Sequence, residues 1–375
     1  MKSHIYADNA ATTKLSEKAL EAMLPWLTGE YGNASQSYTF SRKPKQALQD
    51  SRAIIAECIG ASPEEIYFTS GGTESDNWVI KNAALNKAGK DGIVTSHIEH
   101  HAVLNACDFE KKYRGRRIQM LPVSKQALIS SEDLIHAISP SDGLVSVMLA
   151  NNEVGTIEPV RVLADIAHEH GLPFHTDAVQ AIGHIPVDVK ELNVDFLSSS
   201  AHKFNGPKGI GFLYIKKGVF IPSFVAGGKQ EMGLRAGTEN VASIVGMATA
   251  LKENVQEMKT TQERLLHLET LLLSRLDSLG VSYVRNGAPY HIPGNMSLSF
   301  KGLEGEAIMH RLDLMGISIS TGSACDSKNT QISHVLKAMG LEESVAKSTV
   351  RISLGRYNTE EEVEAIAAAL HRILS

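Results

Sequence analysis

Cysteine is scarce in this chain: three in 375 residues, Cys58, Cys107 and Cys325, with no two forming a C-x-x-C pair. That excludes a disulfide framework and leaves each thiol to be judged alone. Long apolar runs are missing too. No uninterrupted stretch approaches bilayer-spanning length, and Met1 to Asp8 has no apolar h-region, so a cytoplasmic protein is expected. A net charge of -5 without a long basic run leaves no electrostatic footprint for nucleic acid or an anionic membrane. No H-E-x-x-H spacing exists, the Gly-Lys-Ser/Thr ending of a P-loop is absent, and so is G-x-G-x-x-G. No metal site is expected.

The composition itself, 43% hydrophobic and 21% charged, is that of a soluble globular protein, and 375 residues exceed one ordinary core. Two domains follow. From residue 60 to 215 strand-like and helix-like stretches alternate, which predicts a largely parallel α/β sheet covered by helices on both faces. Predicted strands include Ile66–Thr69, Gly92–His97, Leu144–Ala150, Val194–Ser198 and Gly211–Ile215. Residues 241–279 read as continuous helix, with Leu265, Leu268, Leu272, Leu276 and Leu279 on one stripe. The remainder reads as a smaller α+β unit. The expected division is a large domain over 15–255 and a small one over 1–14 and 256–375.

The chain is organised around Ser198 to Gly209, with Lys203 at its centre on a turn between two strands of one sheet. A lysine flanked by His202 and the hydroxyls of Ser198, Ser199 and Ser200 suits an amine that forms a Schiff base beside a phosphate. Taken alone, a solvated loop lysine is the stronger reading. Other motifs change the balance. After strand 66–69, Ser70-Gly-Gly-Thr-Glu-Ser opens a helix, a ready anion site centred on Gly72 and Thr73. His100 and His101 stand at a helix start; side by side in sequence, they are expected to point to different sides, with an imidazole stacked on a planar cofactor as one use. Asn152 and Asp177 fall at strand ends, where functional side chains gather in parallel sheets, and Gln180 follows three residues later. A sheltered carboxylate such as Asp177 can keep a pyridinium nitrogen protonated. The glycine-rich stretch 226–240 reads as a long functional loop. Cys58 and Cys107 sit on apolar helical faces and read as packed thiols. Cys325, in Ser320-Thr-Gly-Ser-Ala-Cys-Asp-Ser-Lys, reads as an exposed candidate nucleophile near Lys328.

Eight motifs in order, Asp8-Asn-Ala-Ala-Thr-Thr, Thr69-Ser-Gly-Gly-Thr-Glu-Ser, Glu99-His-His, Asn151-Asn-Glu-Val-Gly, His175-Thr-Asp-Ala-Val-Gln, Ser200-Ala-His-Lys, Arg235-Ala-Gly-Thr-Glu-Asn and Gly322-Ser-Ala-Cys, span the chain. Together with Arg351-Ile-Ser-Leu-Gly-Arg they resemble the NifS/IscS-type cysteine desulfurases, of the class-V aminotransferase branch of fold-type I pyridoxal-phosphate enzymes. The resemblance implies a homodimer using pyridoxal 5'-phosphate to take sulfur from L-cysteine. It implies that Lys203 is the Schiff-base lysine, that His101 stacks on the ring, that Asp177 pairs with the ring nitrogen and Gln180 with the phenolic oxygen. Gly72, Thr73, Ser200 and His202 would hold the phosphate, completed by Thr238 of a second subunit. Asn152 and Arg351 would hold the substrate carboxylate. Cys325 would take the sulfur as a persulfide and pass it to an acceptor protein, whose identity and pathway the resemblance leaves open. A selenocysteine lyase, or another enzyme of the same class, is the alternative. The stretch Gly32 to Tyr38 departs from the family's Gly-Asn-Pro-Ser-Ser-x-His pattern.

Overall fold

The computed structural model describes residues 4–82, 90–321 and 332–375. Among these, twelve strands form three sheets. They are β1 (Ile5–Tyr6), β2 (Ile66–Thr69), β3 (Gly92–Ser96), β4 (Ile118–Leu121), β5 (Asp142–Ser146), β6 (Phe174–Asp177), β7 (Phe196–Ser200), β8 (Gly211–Ile215), β9 (Tyr283–Asn286), β10 (Asn295–Phe300), β11 (Ile317–Ser318) and β12 (Thr349–Ser353).

The large sheet runs β2-β8-β7-β6-β5-β3-β4. Its pairs from β4 to β7 are parallel, and β8 runs antiparallel to both β7 and β2. Alternate residues of each strand enter two different cores, as a pleated strand covered on both faces requires. Phe68, Val94, Val145, Leu197 and Phe212 join one core with Leu48, Ile55, Ile244 and Leu251 of the helices Arg42–Cys58 and Val241–Gln256. Tyr67, Ile93, Leu144, Phe196 and Leu213 join the other, with Trp78 and Val79 of the helix Gly72–Asn82 and Val103 and Cys107 of the helix His101–Arg114.

A third core lies under the antiparallel sheet β12-β10-β9 and collects Leu265, Leu268, Leu272 and Leu276, together with Val363, Ile366 and Leu370. Ile5 and Ala7 belong to it through the parallel pairing of β1 with β11. The N-terminal strand thereby fixes Asp8 beside Ser353.

Three expectations need correction. The helical stretch 241–279 is two helices, Val241–Gln256 and Met258–Ser278, broken at Glu257. Periodicity did not reveal the break, because neither glycine nor proline marks it. The strand expected at 144–150 is assigned at 142–146; beyond it Val147 and Leu149 still donate to the carbonyls of His175 and Asp177. That expected at 194–198 is 196–200.

Candidate active site

Lys203 and Asp177 sit where strands end, and Gly72 where a helix begins. β7 ends in the single 3-10 turn Ala201–Lys203 before the chain reverses into β8, so Lys203 lies just beyond the strand's C-terminal edge. Its Nζ donates to the backbone carbonyls of Ala10 at 2.7 Å and Ala11 at 2.8 Å. The Lys203 carbonyl in turn accepts from His184 Nε2 at 2.9 Å, fixing the turn from behind. Next door, β6 delivers Asp177, 5% exposed, whose Oδ1 accepts from Val179 N at 2.9 Å. Burial raises its carboxyl to about 6, while the backbone donor and Lys203 oppose the shift.

These groups border one cavity of about 270 Å³, also lined by Gly72, Thr73, His101, Asn152, Gln180, Ser200, His202 and Arg351. Ten of the twelve residues singled out in the sequence therefore converge. Thr238 does not line the cavity and is exposed. Cys325 lies outside the described residues. The flanks of its segment meet the cavity on both sides: Ser320 exchanges two backbone hydrogen bonds with Arg351, and the Ser333 hydroxyl donates to Glu153.

At one end of the cavity the helix Gly72–Asn82 starts. Gly71 and Gly72 keep the wall thin there: a Cβ on Gly72 would come 2.6 Å from Val179 Cγ2, and one on Gly71 3.2 Å from Ser200 Oγ. Glu74 caps the turn by accepting from Ser70 N at 2.7 Å while Arg235 clamps its carboxylate at 2.8 Å. His202, held by Thr12 Oγ1 at 3.1 Å, is kept neutral by burial, its imidazole lowered to about 4. Also in the lining, Arg351 of β12 is 3% exposed; it donates to Asn152 O at 2.9 Å and to Asp8 Oδ1 at 2.7 Å.

The paired histidines do not behave as expected. Both line the cavity, with ring centroids 6.4 Å apart. His100 is the N-cap of its helix, Nδ1 accepting from Ala102 N at 3.1 Å, and one of its ring nitrogens comes within 4.8 Å of carboxylate oxygens of Asp177 and Asp76. Burial and Lys203 lower it to about 4. The His101 ring instead lies 4.8 Å from that of His334. An N-cap residue points back across the helix end whereas the next residue begins the helical spiral; here both directions reach the same cleft.

Sequence reasoning also missed Asp76, Glu153 and His334, all lining the cavity. Asp76 carried a usable signal, since it falls on the stripe of Gly72, Val79 and Ile80 that the helix buries. The two other thiols match their reading: burial pushes Cys58 up to about 11 and Cys107 up to about 12. Ser35, in the stretch that departs from the family pattern, borders a separate groove with Arg52 and Glu231.

Pyridoxal phosphate fits this donor set. A glycine-walled helix N-terminus with adjacent hydroxyl and imidazole suits a phosphate, a buried carboxylate suits a protonated ring nitrogen, and an amine stands between them.

The chain is similar to known proteins over nearly its whole length. The family described as Aminotransferase class-V matches residues 5–366. A protein named cysteine desulfurase IscS from Dictyoglomus turgidum is 45% identical over 377 residues, covering 100% of this chain and 95% of that one. A solved NifS-like protein superposes with a TM-score of 0.92 at 37% identity, covering 99% of each chain. A structure titled SspA in complex with cysteine gives 0.84 at 34% identity, covering 95% of this chain and 100% of that one.

Proposed function

Because the chain belongs to the class-V aminotransferase family, we propose that it is a pyridoxal-phosphate-dependent cysteine desulfurase, carrying sulfur away on Cys325. The observation that carries this reading is the meeting of the Lys203 amine, the buried Asp177 carboxylate and the Arg351 guanidinium in one cavity. When bound, the cofactor supplies a sink for the electrons released at the substrate Cα. Gly72, Thr73, Ser200 and His202 would hold its phosphate, Asp177 its ring nitrogen, Gln180 its phenolic oxygen and Lys203 its carbonyl carbon. We assign the ring-facing position to His100, whose imidazole lies beside Asp177, and the outer position beside His334 to His101.

Arg351 orients the substrate through its carboxylate. One guanidinium nitrogen already donates to a carboxylate, that of Asp8, and the other to the Asn152 carbonyl, which supports an anion-binding role. The Lys203 amine takes the proton from the substrate Cα. The Cys325 thiolate then bonds to the substrate sulfur as the carbon–sulfur bond breaks, its electron pair staying with the three-carbon fragment. That fragment takes up protons and leaves as alanine, and the sulfur stays on Cys325 as a persulfide. A protein thiol would accept it next. Thr238, exposed and away from this cavity, would complete the phosphate site of a second copy in a homodimer. No described helix is long and apolar enough to cross a membrane, and we expect the enzyme to act in the cytoplasm.

The test uses purified protein and L-cysteine with a reductant. Wild type should be yellow and release sulfide and alanine in equal amounts; Cys325→Ala should stay yellow and release no sulfide. A colourless protein that cannot be loaded, or sulfide release undiminished in the variant, overturns the reading.

A further inference from the structure

Beside Asp177, in the lining of the same cavity, is a second carboxyl group that the reaction does not call for. Asp76 is 1% exposed, on the helix Gly72–Asn82 where it packs over β6 and β7. Its oxygen lies within 4.8 Å of an Asp177 oxygen and a His100 ring nitrogen. Two carboxylates this close, away from water, cannot both be ionised cheaply. Something positive must sit between them, or one must hold a proton.

The surroundings decide which. Across the same sheet face runs a buried polar column: Ser146 Oγ lies 2.8 Å from His175 Nδ1, and His175 Nε2 lies 3.0 Å from Ser198 Oγ. Burial holds His175 well below its usual range, at about 3, so it is a neutral relay of hydrogen bonds and no counter-charge. The Ser198 hydroxyl supports Asp76, but Asp76 Oδ1 has no hydrogen-bond partner among the described residues, and His175 Nε2 is 3.6 Å away. Asp177, by contrast, accepts from a backbone amide and lies near Lys203. The other titratable groups facing Asp76 add no positive charge: Glu99 from the segment before the helix His101–Arg114 is a further buried carboxyl, and His100 is neutral. Glu74 on the same helix is already paired with Arg235.

We propose that Asp76 carries a proton on Oδ1, so that the Asp76–Asp177 pair presents one negative charge, all of it on Asp177 and available to the cofactor's ring nitrogen. Asp76 is then a positioning residue. Burial and the Asp177 charge both raise its carboxyl well above the usual range, in keeping with this assignment. The neutral acid fills the space beside Asp177 with a polar group that does not compete for the ring-nitrogen proton. The half of this inference that concerns the ring nitrogen rests on the cofactor reading above; the half that concerns the proton does not.

The experiment has two arms. Apoprotein labelled with carboxyl-13C aspartate is examined by infrared difference spectroscopy at neutral pH. A carboxylic-acid band should be present and should vanish in Asp76→Asn. In the second arm, loaded wild type, Asp76→Asn and Asp177→Asn are titrated by the pH-dependent absorbance of the bound cofactor. Removing a neutral group should leave the midpoint within roughly 0.3 unit, whereas removing the charge at Asp177 should move it by about one unit or more. No acid band sensitive to Asp76→Asn, or a midpoint in Asp76→Asn displaced as far as in Asp177→Asn, overturns the proposal. A protein that binds no cofactor would sink the functional reading and leave the infrared result to stand by itself.

Discussion

Alanine at position 72 puts the phosphate cradle to a quantitative test. The added Cβ would sit 2.6 Å from Val179 Cγ2, where carbons prefer about 3.5–4.0 Å. The overlap of roughly 1 Å has two outlets. Either the helix start moves away from the anion it would bind, or Val179 moves and loosens the amide that holds Asp177. Both routes damage the site. Overpacking of this kind costs about 1–3 kcal/mol, more than the gain of at most about 1 kcal/mol from replacing glycine in a helix, which shrinks at a first helical residue. If the cost falls mainly on the bound state, cofactor affinity drops about tenfold to a hundredfold. The assay is titration of apoprotein with pyridoxal phosphate, read by absorbance. Val179→Ala alone should bind nearly as wild type, and the double variant should recover most of the loss. A Gly72→Ala protein with wild-type affinity refutes the steric reasoning, as does a double variant no better than the single.

Other outcomes follow from the same geometry. Replacing Arg351 by Gln removes a charge-assisted contact of about 1.5–3 kcal/mol, so KM for cysteine should rise about tenfold to a hundredfold with a smaller change in kcat; steady-state kinetics that leave KM unchanged would exclude Arg351 from carboxylate binding. Glu99 is raised by burial to about 8, so its contribution to stability is complete below the unfolded carboxyl's range and is lost as pH rises towards 8. Its Oε1 accepts from Ser96 Oγ and Met148 N while Oε2 has no hydrogen-bond partner among the described residues, so Glu99→Gln should melt higher than wild type by a margin that widens from about pH 5 to pH 8. A constant margin would mean that Glu99 is not protonated in the fold. Glu110, fully buried, pairs with the buried Arg116 at 3.2 Å; Glu110→Ala should cost about 3–5 kcal/mol in denaturant unfolding by stranding the guanidinium, and a loss below 1 kcal/mol would show that water reaches Arg116.

Much of this was legible in the sequence wherever the determining signal is local. The Ser62-Pro-Glu-Glu turn forms as its composition dictates, Ser62 N donating to Glu65 Oε2 at 2.8 Å, and the Gly-Gly-Thr turn starts a helix directly after β2. Lys203 stands on the turn its flanking strands require. What spacing could not reveal is which distant groups meet. Asp8 and Arg351 are 343 residues apart and touch because β1 pairs with β11 and Asp8 bridges to β12. That His100 comes beside Asp177 while His101 meets His334 is set by tertiary packing at one helix end, which no periodicity encodes. An aspartate near a helix start normally serves the helix dipole from the surface, whereas Asp76 is turned inward on the same stripe that buries Val79 and Ile80.

The central claim, a lysine-dependent transfer of sulfur to one cysteine, is met most directly by intact-protein and peptide mass spectrometry after incubation of the loaded enzyme with cysteine and no reductant. One added sulfur atom is expected on the peptide bearing Cys325, none on those bearing Cys58 or Cys107, and none anywhere in Lys203→Ala. Sulfur on a packed thiol, or on Cys325 in the lysine variant, would contradict it.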